Sequence, residues 1–281
     1  MGALTSIFVS IVRSYIKPAA LVHPWGLPIP CHPHKILTKE LVDSFEHVIV
    51  VGDVHGCFDE LMELLKSENC LNAGTLKLFV GDVVNKGPKS EEVLQFLANN
   101  NTTCQTVRGN HDEVVLREYL RSRNSGYILA PKNAWIGKLS IDHIRFLQEL
   151  PYTLSIPSLN TVLVHAGLVP GKGIEGTSIG EMVSMRNITI SDPWEEGGLQ
   201  GTQKAVEGSV PWGSLWNGPA HIYFGHDAVR LMQQWPYCTG LDTGCVYGKS
   251  LTGIFIKGPK RGKVVSVKAH SVYQKPGAAA L

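Results

Sequence analysis

The chain has 281 residues, of which 43% are hydrophobic and 18% charged, and this ordinary composition excludes a disordered or fibrous protein. The formal net charge is only +2; because a DNA-binding surface is usually far more basic, we expect no DNA partner. The six cysteines show neither paired spacing nor a metal-finger pattern, which predicts reduced thiols inside a cell.

Residues 1–40 are predicted to form a module separate from a single domain at 41–275. Pro18 ends a helical pattern, and a proline-containing linker follows it. The apolar run at the start is far shorter than the roughly 20 residues that a membrane span needs. The apolar face of the predicted amphipathic helix consists of Leu4, Ile7, Phe8, Ile11, Val12 and Tyr15.

The first six residues match a pattern for N-myristoylation, with Gly2 as the acceptor. One acyl chain anchors weakly, so an apolar helix with Arg13 and Lys17 beside it would supply a second signal for peripheral membrane contact. We therefore expect a cytoplasmic protein that associates with membranes. Because no acidic residue precedes Glu40, a mitochondrial transit peptide is the alternative.

The remaining chain alternates strands and helices in its first half and is mostly strands in its second half. This order predicts an α/β fold in which two face-to-face mixed β-sheets are flanked by helices. Predicted helices cover 58–69, 89–99, 111–123 and 141–150. Predicted strands cover 47–52, 76–81, 103–108, 161–165, 221–225, 237–241, 251–257 and 262–269.

Three short motifs follow the first three strands of this domain. They are Gly52-Asp53-Val54-His55-Gly56, Gly81-Asp82-Val83-Val84-Asn85-Lys86-Gly87 and Gly109-Asn110-His111-Asp112. Asp82 lies 29 residues after Asp53 and 28 before Asn110, which is one strand and one crossover helix per step. Because parallel strands end at one edge of a sheet, these side chains are expected to meet in a cleft.

Two histidines also follow short apolar runs that are typical of strands. His165 comes after Thr161-Val162-Leu163-Val164, and His226 comes after Ile222-Tyr223-Phe224-Gly225. A single histidine at a strand end is usually an ordinary turn residue, but five such motifs in order are difficult to explain as turns. Carboxylate, amide and imidazole ligands together suit a pair of divalent metal ions.

These motifs resemble those of the phosphoprotein phosphatase (PPP) superfamily, which is marked by GDxHG, GDxxDRG, GNHE and two later histidine motifs. Within it, the chain is most similar to the ApaH-like phosphatases, which are related to bacterial diadenosine tetraphosphatase. The segments Gly225-His226-Asp227-Ala228 and Gly240-Leu241-Asp242-Thr243-Gly244-Cys245 support that subfamily. The resemblance runs from about 48 to about 265 and implies the calcineurin-like metallophosphoesterase fold.

The resemblance also implies a ligand set for two metal ions, with Asp82 bridging them. Manganese is expected, and iron, zinc or magnesium are alternatives; a hydroxide shared by the ions would attack phosphorus. His111 would donate a proton to the leaving group. Asp242 would orient a ligand imidazole, or would be a turn residue before Gly244. The implied ligands are Asp53, His55, Asp82, Asn110, His165 and His226.

The second motif departs from the pattern of protein phosphatases, which have Asp-Arg where this chain has Asn85-Lys86. Asn85 can orient His111 but stabilises the positive charge of protonated His111 poorly. A leaving alkoxide, whose conjugate acid has a pKa near that of water, about 15.7, would then lack the proton that it needs. A leaving phosphate has a pKa of about 6 and can depart without one. Lys86 would bind substrate as a compact point charge.

These features predict a phosphohydrolase for phosphoanhydrides: dinucleoside polyphosphate, inorganic polyphosphate or capped RNA. A protein serine/threonine phosphatase is the alternative enzyme, and the complete ligand set argues against a non-catalytic scaffold. Arg186 is the remaining candidate for binding a substrate phosphate. It lies in a glycine-rich stretch, 170–219, that lacks clear periodicity and could overhang the site.

Overall fold

A computed structural model describes residues 23–190 and 198–276. The predicted amphipathic helix and Gly2 therefore lie outside the described residues. Seven α-helices are found in the described residues. They are α1 (Lys39–Asp43), α2 (Phe58–Ser67), α3 (Ser90–Asn99), α4 (Asn110–Ser122), α5 (Ile141–Glu149), α6 (Gly173–Gly176) and α7 (Ile179–Ser184).

Fourteen strands are found in the described part of the chain. They are β1 (His34–Ile36), β2 (His47–Val51), β3 (Thr75–Phe79), β4 (Cys104–Thr106), β5 (Thr153–Ile156), β6 (Thr161–Val164), β7 (Asn187–Ile190), β8 (Leu199–Thr202), β9 (Val210–Pro211), β10 (His221–Phe224), β11 (Gln233–Trp235), β12 (Cys238–Gly240), β13 (Ser250–Lys257) and β14 (Val264–Lys268).

Two mixed sheets form the centre of the fold. The five-stranded sheet has the order β14-β13-β2-β3-β4, with β2, β3 and β4 parallel. The six-stranded sheet has the order β1-β5-β6-β10-β12-β11, with β6, β10 and β12 parallel. In each sheet the three parallel strands are neighbours, so their carboxyl ends lie side by side along one edge at which a site can be built.

The period-2 alternation of the strands divides the core into layers. Val48 and Val50 of β2 pack in the cluster that holds Leu154 and Leu163 of the other sheet. Ile49 of β2 points the opposite way and packs with the apolar faces of helices α2 and α3. The predicted fold, two facing mixed sheets with helices outside, is confirmed.

A third small sheet lies within the stretch 170–219, where the sequence indicated a loop without regular structure. Its strand order is β8-β7-β9, and helices α6 and α7 precede it. Met182 and Val183 of α7 pack in the cluster with Val164 and Phe224 of the six-stranded sheet. The prediction of an irregular loop was wrong because elements of two to six residues are too short to produce a periodic pattern.

The segment before residue 41 is joined to the domain by hydrogen bonds. Strand β1 pairs in parallel with β5 at the edge of the six-stranded sheet. His23 Nε2 lies 2.5 Å from Glu113 Oε1, and both side chains are buried. Thus residues 23–36, which we predicted as a linker, pack against the sheet and against α4. Within the described ranges, no helix is both long and apolar enough to cross a membrane.

Candidate active site

The ends of parallel strands place the predicted ligands in one cleft between the two sheets. Asp53 follows β2, Asp82 follows β3, and Asn110 begins α4 just after β4. His165 and His226 follow β6 and β10 of the facing sheet. The His226 backbone N–H donates to the Asp53 carboxylate over 3.1 Å, which joins the two sheets at this edge.

Close packing at this edge requires glycine at two positions. A Cβ on Gly225 would lie 1.9 Å from Asp53 Oδ1, and one on Gly109 would lie 2.2 Å from Asp82 Oδ1. The backbone is also strained, since His55, Asp82 and His226 have φ values of 47°, 49° and 67°. Non-glycine residues in this left-handed region cost free energy and cluster at functional sites.

His165 and His226 each have one ring nitrogen that is free of a proton and faces the side-chain oxygen of Asn110. His165 Nδ1 donates to the Val80 carbonyl over 2.8 Å, so its Nε2 faces the site. His226 Nε2 donates to the Ser184 carbonyl over 2.9 Å, so its Nδ1 faces the site. Both inward nitrogens lie 2.9 Å from Asn110 Oδ1. In the neutral rings, three acceptors then converge without a proton between them, and a cation satisfies all three.

His55 is oriented in the same way on the other side of Asp82. Its Nδ1 donates to the Val84 carbonyl over 3.2 Å, and its Nε2 lies 3.4 Å from Asp82 Oδ2. The Lys86 ammonium donates to the same Nε2 over 3.0 Å. A positive group therefore already lies beside a nitrogen that has the correct tautomer for a metal ligand.

Buried carboxylates add a second reason why this centre suits cations. Burial raises the pKa of Asp53 well above its usual value, and the nearby Asp242 and Asp82 raise it further. Burial also favours the neutral form of Asp82, but neighbouring His165 and other basic groups hold its pKa well below the usual range. Adding divalent cations would relieve the repulsion among these carboxylates.

The sequence left two roles open for Asp242, orienting a ligand imidazole or forming a turn before Gly244, and its hydrogen bond favours the turn. Its Oδ1 accepts from the Gly244 backbone N–H over 3.0 Å, as a turn residue would. The three imidazoles are instead oriented by the carbonyls of Val80, Val84 and Ser184. Val80 follows β3, Val84 lies in the second motif and Ser184 ends α7. Their carbonyls already accept the outward N–H of each ring, so no ring N–H is left for a carboxylate.

Asp112 is a positioning residue to which sequence reasoning gave no role. Its carboxylate accepts from the backbone N–H groups of Asp82, Val83 and Val84 at 3.0, 3.0 and 3.3 Å. It also accepts from Gly109 over 2.8 Å and so caps helix α4. One buried carboxylate therefore fixes the second motif against the third; the available signal was its place at the end of Gly109-Asn110-His111-Asp112.

His111 lies beside the ligand cluster and is held by Asn85. Asn85 Nδ2 lies 3.0 Å from His111 Nδ1, while Asn85 Oδ1 accepts from the Lys86 backbone N–H over 2.9 Å. The amide oxygen is thus occupied, and the amide N–H is directed at the ring. Burial lowers the pKa of His111 to about 4, so the ring is neutral near pH 7.

Two cavities meet at His111. The smaller has a volume of about 160 Å³ and contains the predicted substrate-binding residues Lys86 and Arg186 together with metal-ligand candidates. Arg186 is held there because its Nη2 donates to the His226 carbonyl over 3.0 Å and its Nε lies 3.5 Å from Asp227 Oδ1.

The larger cavity, about 460 Å³, adjoins the smaller and shares Lys86, His111 and Tyr247 with it. Its further lining includes Trp135 and two more lysines, Lys132 and Lys275, and among the described residues no carboxylate lines it. The larger cavity therefore offers aromatic faces and positive charge next to the catalytic candidate.

The sequence profile of calcineurin-like phosphoesterases matches residues 46–250, which span every ligand candidate from Asp53 to His226. The chain belongs to the calcineurin-like phosphoesterase family. This phosphoesterase is thus a metal-dependent hydrolase, and its resemblance to the ApaH-like members is confirmed.

Two curated relatives align over most of this phosphoesterase. A zinc-dependent endopolyphosphatase of Saccharomyces cerevisiae is 26% identical over 78% of this chain and 78% of the relative. A symmetrical bis(5'-nucleosyl)-tetraphosphatase of Coxiella burnetii is 30% identical over 75% of this chain and 89% of the relative.

A solved structure of a candidate diadenosine tetraphosphatase has 31% identity and a TM-score of 0.72. It covers 84% of this chain and 98% of its own. This phosphoesterase therefore shares its fold with that solved structure, and the two sequences are similar as well.

Proposed function

We propose that this phosphoesterase hydrolyses phosphoanhydride bonds with two metal ions, and that dinucleoside polyphosphates are its first candidate substrates. Inorganic polyphosphate and capped RNA are the alternatives within the same bond class. The observation that carries the proposal is the hydrogen bond from Asn85 to His111. The cavity beside His111 supports the choice of a nucleoside-bearing substrate.

The six predicted ligands fit a pair of ions, since their free lone pairs and carboxylates converge in one buried cleft. Asp53, His55 and Asp82 would hold one ion, and Asp82 would be shared with a second ion at Asn110, His165 and His226. When bound, such a pair stabilises the charge of an in-line phosphoryl displacement and supplies a nucleophilic water near neutral pH. Manganese and zinc both suit this donor set.

The tautomer of His111 decides which leaving groups the site can serve. Because the Asn85 amide N–H occupies Nδ1, the proton of the neutral ring is on Nε2. Forming the imidazolium requires a proton on Nδ1, where an amide donor already points. His111 can therefore donate a hydrogen bond to a leaving oxygen, but it is a weak acid.

A weak donor is sufficient for a phosphoanhydride and insufficient for a phosphoserine. The phosphate that leaves an anhydride has a pKa of about 6 and departs as an anion. A serine alkoxide has a conjugate acid near the pKa of water, about 15.7, and needs a full proton transfer. General acid catalysis is typically worth about 10²–10⁴-fold, so the weak acid disfavours protein phosphatase activity by a factor of that order.

The position of the larger cavity supports a nucleoside in the leaving group. The phosphoryl group would bind in the smaller cavity, where Arg186 and Lys86 offer cations. The leaving group would then extend past His111 towards Trp135 and Tyr247. An aromatic side chain can stack on a base, and lysines can bind the intervening phosphates.

The activities named for the two curated relatives also support phosphoanhydrides, because both break bonds between phosphates. The experiment is a substrate panel with purified protein, once with Mn²⁺ and once with Zn²⁺. Diadenosine tetraphosphate, inorganic polyphosphate, capped RNA and a phosphopeptide are compared by kcat/KM. The proposal requires at least one anhydride to exceed the phosphopeptide, and the reverse order would favour the protein phosphatase alternative.

One variant distinguishes a dinucleoside polyphosphate substrate from inorganic polyphosphate. Trp135→Leu should raise KM for diadenosine tetraphosphate about 10-fold, because base stacking is worth about 1–3 kcal/mol, and should leave polyphosphate hydrolysis unchanged. The matched control is Trp25→Leu, which alters an exposed tryptophan outside both cavities. Equal losses on both substrates would mean that Trp135 does not bind a base.

For localisation, we propose attachment to cytoplasmic membranes through N-myristoylation of Gly2. The sequence pattern supports this, with a mitochondrial transit peptide as the alternative. A C-terminally tagged protein and its Gly2→Ala variant are fractionated after expression in eukaryotic cells. Loss of the membrane fraction in the variant supports acylation. An unchanged distribution with a cleaved N-terminus indicates the transit peptide.

A further inference from the structure

A second group of potential metal ligands lies outside the catalytic cleft. Cys57, Glu60 and Cys245 are all buried, and a sulfur or carboxylate oxygen from each lies within 4.8 Å of the others. In the described part of the chain only one other group meets this spacing, and it is Asp53, Asp82 and His165 of the catalytic centre. The ligand atoms of the cysteine group are therefore as close together as those of the predicted catalytic metal centre.

The Glu60 carboxylate is only half satisfied by protein groups. Its Oε1 accepts from the His270 backbone N–H over 2.9 Å and from the Tyr273 hydroxyl over 2.8 Å. Its Oε2 is buried and has no hydrogen-bond partner. Within residues 23–190 and 198–276, no lysine, arginine or histidine forms an ion pair with Glu60. An unpaired oxygen of a buried carboxylate is costly, and a cation would satisfy it.

We propose that Cys57, Glu60 and Cys245 bind a zinc ion that is separate from the catalytic ions. Two thiolates select a soft or borderline metal, and the carboxylate oxygen favours Zn²⁺ over Cu⁺. At about 2.3 Å for Zn–S, tetrahedral ligand atoms lie about 3.8 Å apart. The observed group therefore needs to contract by about 1 Å at most.

Zinc binding replaces the two thiol protons, which pass to solvent, by one divalent ion. The product has two thiolates and one carboxylate around the metal. The Tyr273 hydroxyl, which already contacts Glu60, or a water molecule takes the fourth tetrahedral position. No oxidant or reductant is required.

The site would join segments that shape the catalytic cleft. Cys57 lies two residues after His55, and Cys245 begins the 3-10 helix Cys245–Tyr247 that carries Tyr247 into both cavities. The backbone N–H of Tyr273 donates to Val246 over 3.1 Å, so the C-terminal segment covers the group. An ion there would stiffen one wall of the substrate cavity.

Cobalt distinguishes the two kinds of site in the full-length protein. The catalytic ligands are oxygens and nitrogens, so only a thiolate site gives sulfur-to-cobalt charge-transfer absorption in the near ultraviolet. All proteins carry Cys31→Ser, because Cys31 is the exposed thiol. The Co²⁺-loaded parent should show the absorption, Cys57→Ser with Cys245→Ser should lose it, and Cys238→Ser should keep it. Cys238 is the matched control because it is a buried cysteine elsewhere.

X-ray absorption of the zinc-loaded parent makes the test independent of variant folding, and metal content adds a second measurement. The zinc-loaded parent should hold about one more equivalent of metal than the double variant and should show sulfur at about 2.3 Å from zinc. A cobalt-loaded parent without thiolate absorption overturns the proposal. So does absorption that survives in the double variant or disappears in Cys238→Ser. A Cys57–Cys245 disulfide in protein that lacks thiolate-bound metal overturns it as well.

Discussion

Asn85 donates its side-chain N–H to Nδ1 of His111 over 3.0 Å, and its oxygen is occupied by the backbone of Lys86. The orientation of one amide thus sets which nitrogen of the catalytic candidate carries the proton. A carboxylate at position 85 would accept from Nδ1–H and stabilise the imidazolium. The difference between amide and carboxylate is the physical basis on which we assign an anhydride substrate.

Restoring the protein-phosphatase pair, Asn85→Asp with Lys86→Arg, should shift the preference towards phosphoesters. The aspartate would stabilise protonated His111, and the arginine would hold a terminal phosphate with two parallel hydrogen bonds. The readout is kcat/KM for a phosphopeptide divided by that for diadenosine tetraphosphate. The two single variants serve as controls. An unchanged ratio in the double variant would remove positions 85 and 86 as determinants of substrate choice.

The pH profile should change when Asn85 is replaced by aspartate. Burial lowers the pKa of His111 to about 4, so the wild-type ring is already neutral and its rate should not fall from this group as the pH rises from about 6 to 9. In Asn85→Asp the pKa of His111 is raised, and phosphoester hydrolysis should decrease as the pH rises through that new value. A descending limb of the same midpoint in wild type would contradict the neutral tautomer.

Asp82→Asn should lose metal and activity together. Its carboxylate is the predicted ligand common to both ions, so neutralising it weakens each of them. The metal content of the purified variant is measured by inductively coupled plasma mass spectrometry. Asp242→Asn is the control, because Asp242 lies in the same cavity but binds Gly244; it should retain both ions. Two tightly bound catalytic ions in Asp82→Asn would refute the bridging assignment.

Tyr152→Phe should lower the free energy of unfolding by about 1–3 kcal/mol. The Tyr152 hydroxyl donates to Glu113 Oε1 and accepts from Arg108 Nη1, both at 3.0 Å, in a buried network that also holds His23. Removing the hydroxyl leaves buried charged groups with fewer partners. Chemical denaturation measures the loss. Tyr119→Phe is the control, since no hydrogen bond of its hydroxyl is found among the described residues; equal losses would exclude the network as the cause.

Much of the fold was predictable because the central strands carry strong local signals. Strands β2 and β3 and helices α2, α3 and α5 lie within about two residues of their predicted bounds. The motifs at the strand ends also placed Asp53, Asp82, Asn110, His165 and His226 correctly at one edge. Parallel topology brings Asp53, Asp82 and Asn110 to one sheet edge and His165 and His226 to the edge of the facing sheet, and the packing of the two sheets joins them in one cleft.

What the sequence could not predict depends on contacts between distant segments. Strand β1 has three residues and forms only because β5 offers an edge. The role of Asp112 depends on N–H groups about 30 positions earlier. Likewise, the orientation of His226 depends on the Ser184 carbonyl at the end of α7, and that helix is too short to be recognised from periodicity.

The dependence of kcat on leaving-group pKa tests the central claim most directly. The substrates run from a nucleoside polyphosphate through aryl phosphates of increasing pKa to an alkyl phosphate, all with the same metal. A neutral His111 donates no full proton, so the rate should fall steeply as the leaving-group pKa rises, and His111→Gln should change that slope little. A shallow slope in wild type that becomes steep in His111→Gln would show that His111 is a strong acid and would contradict the account.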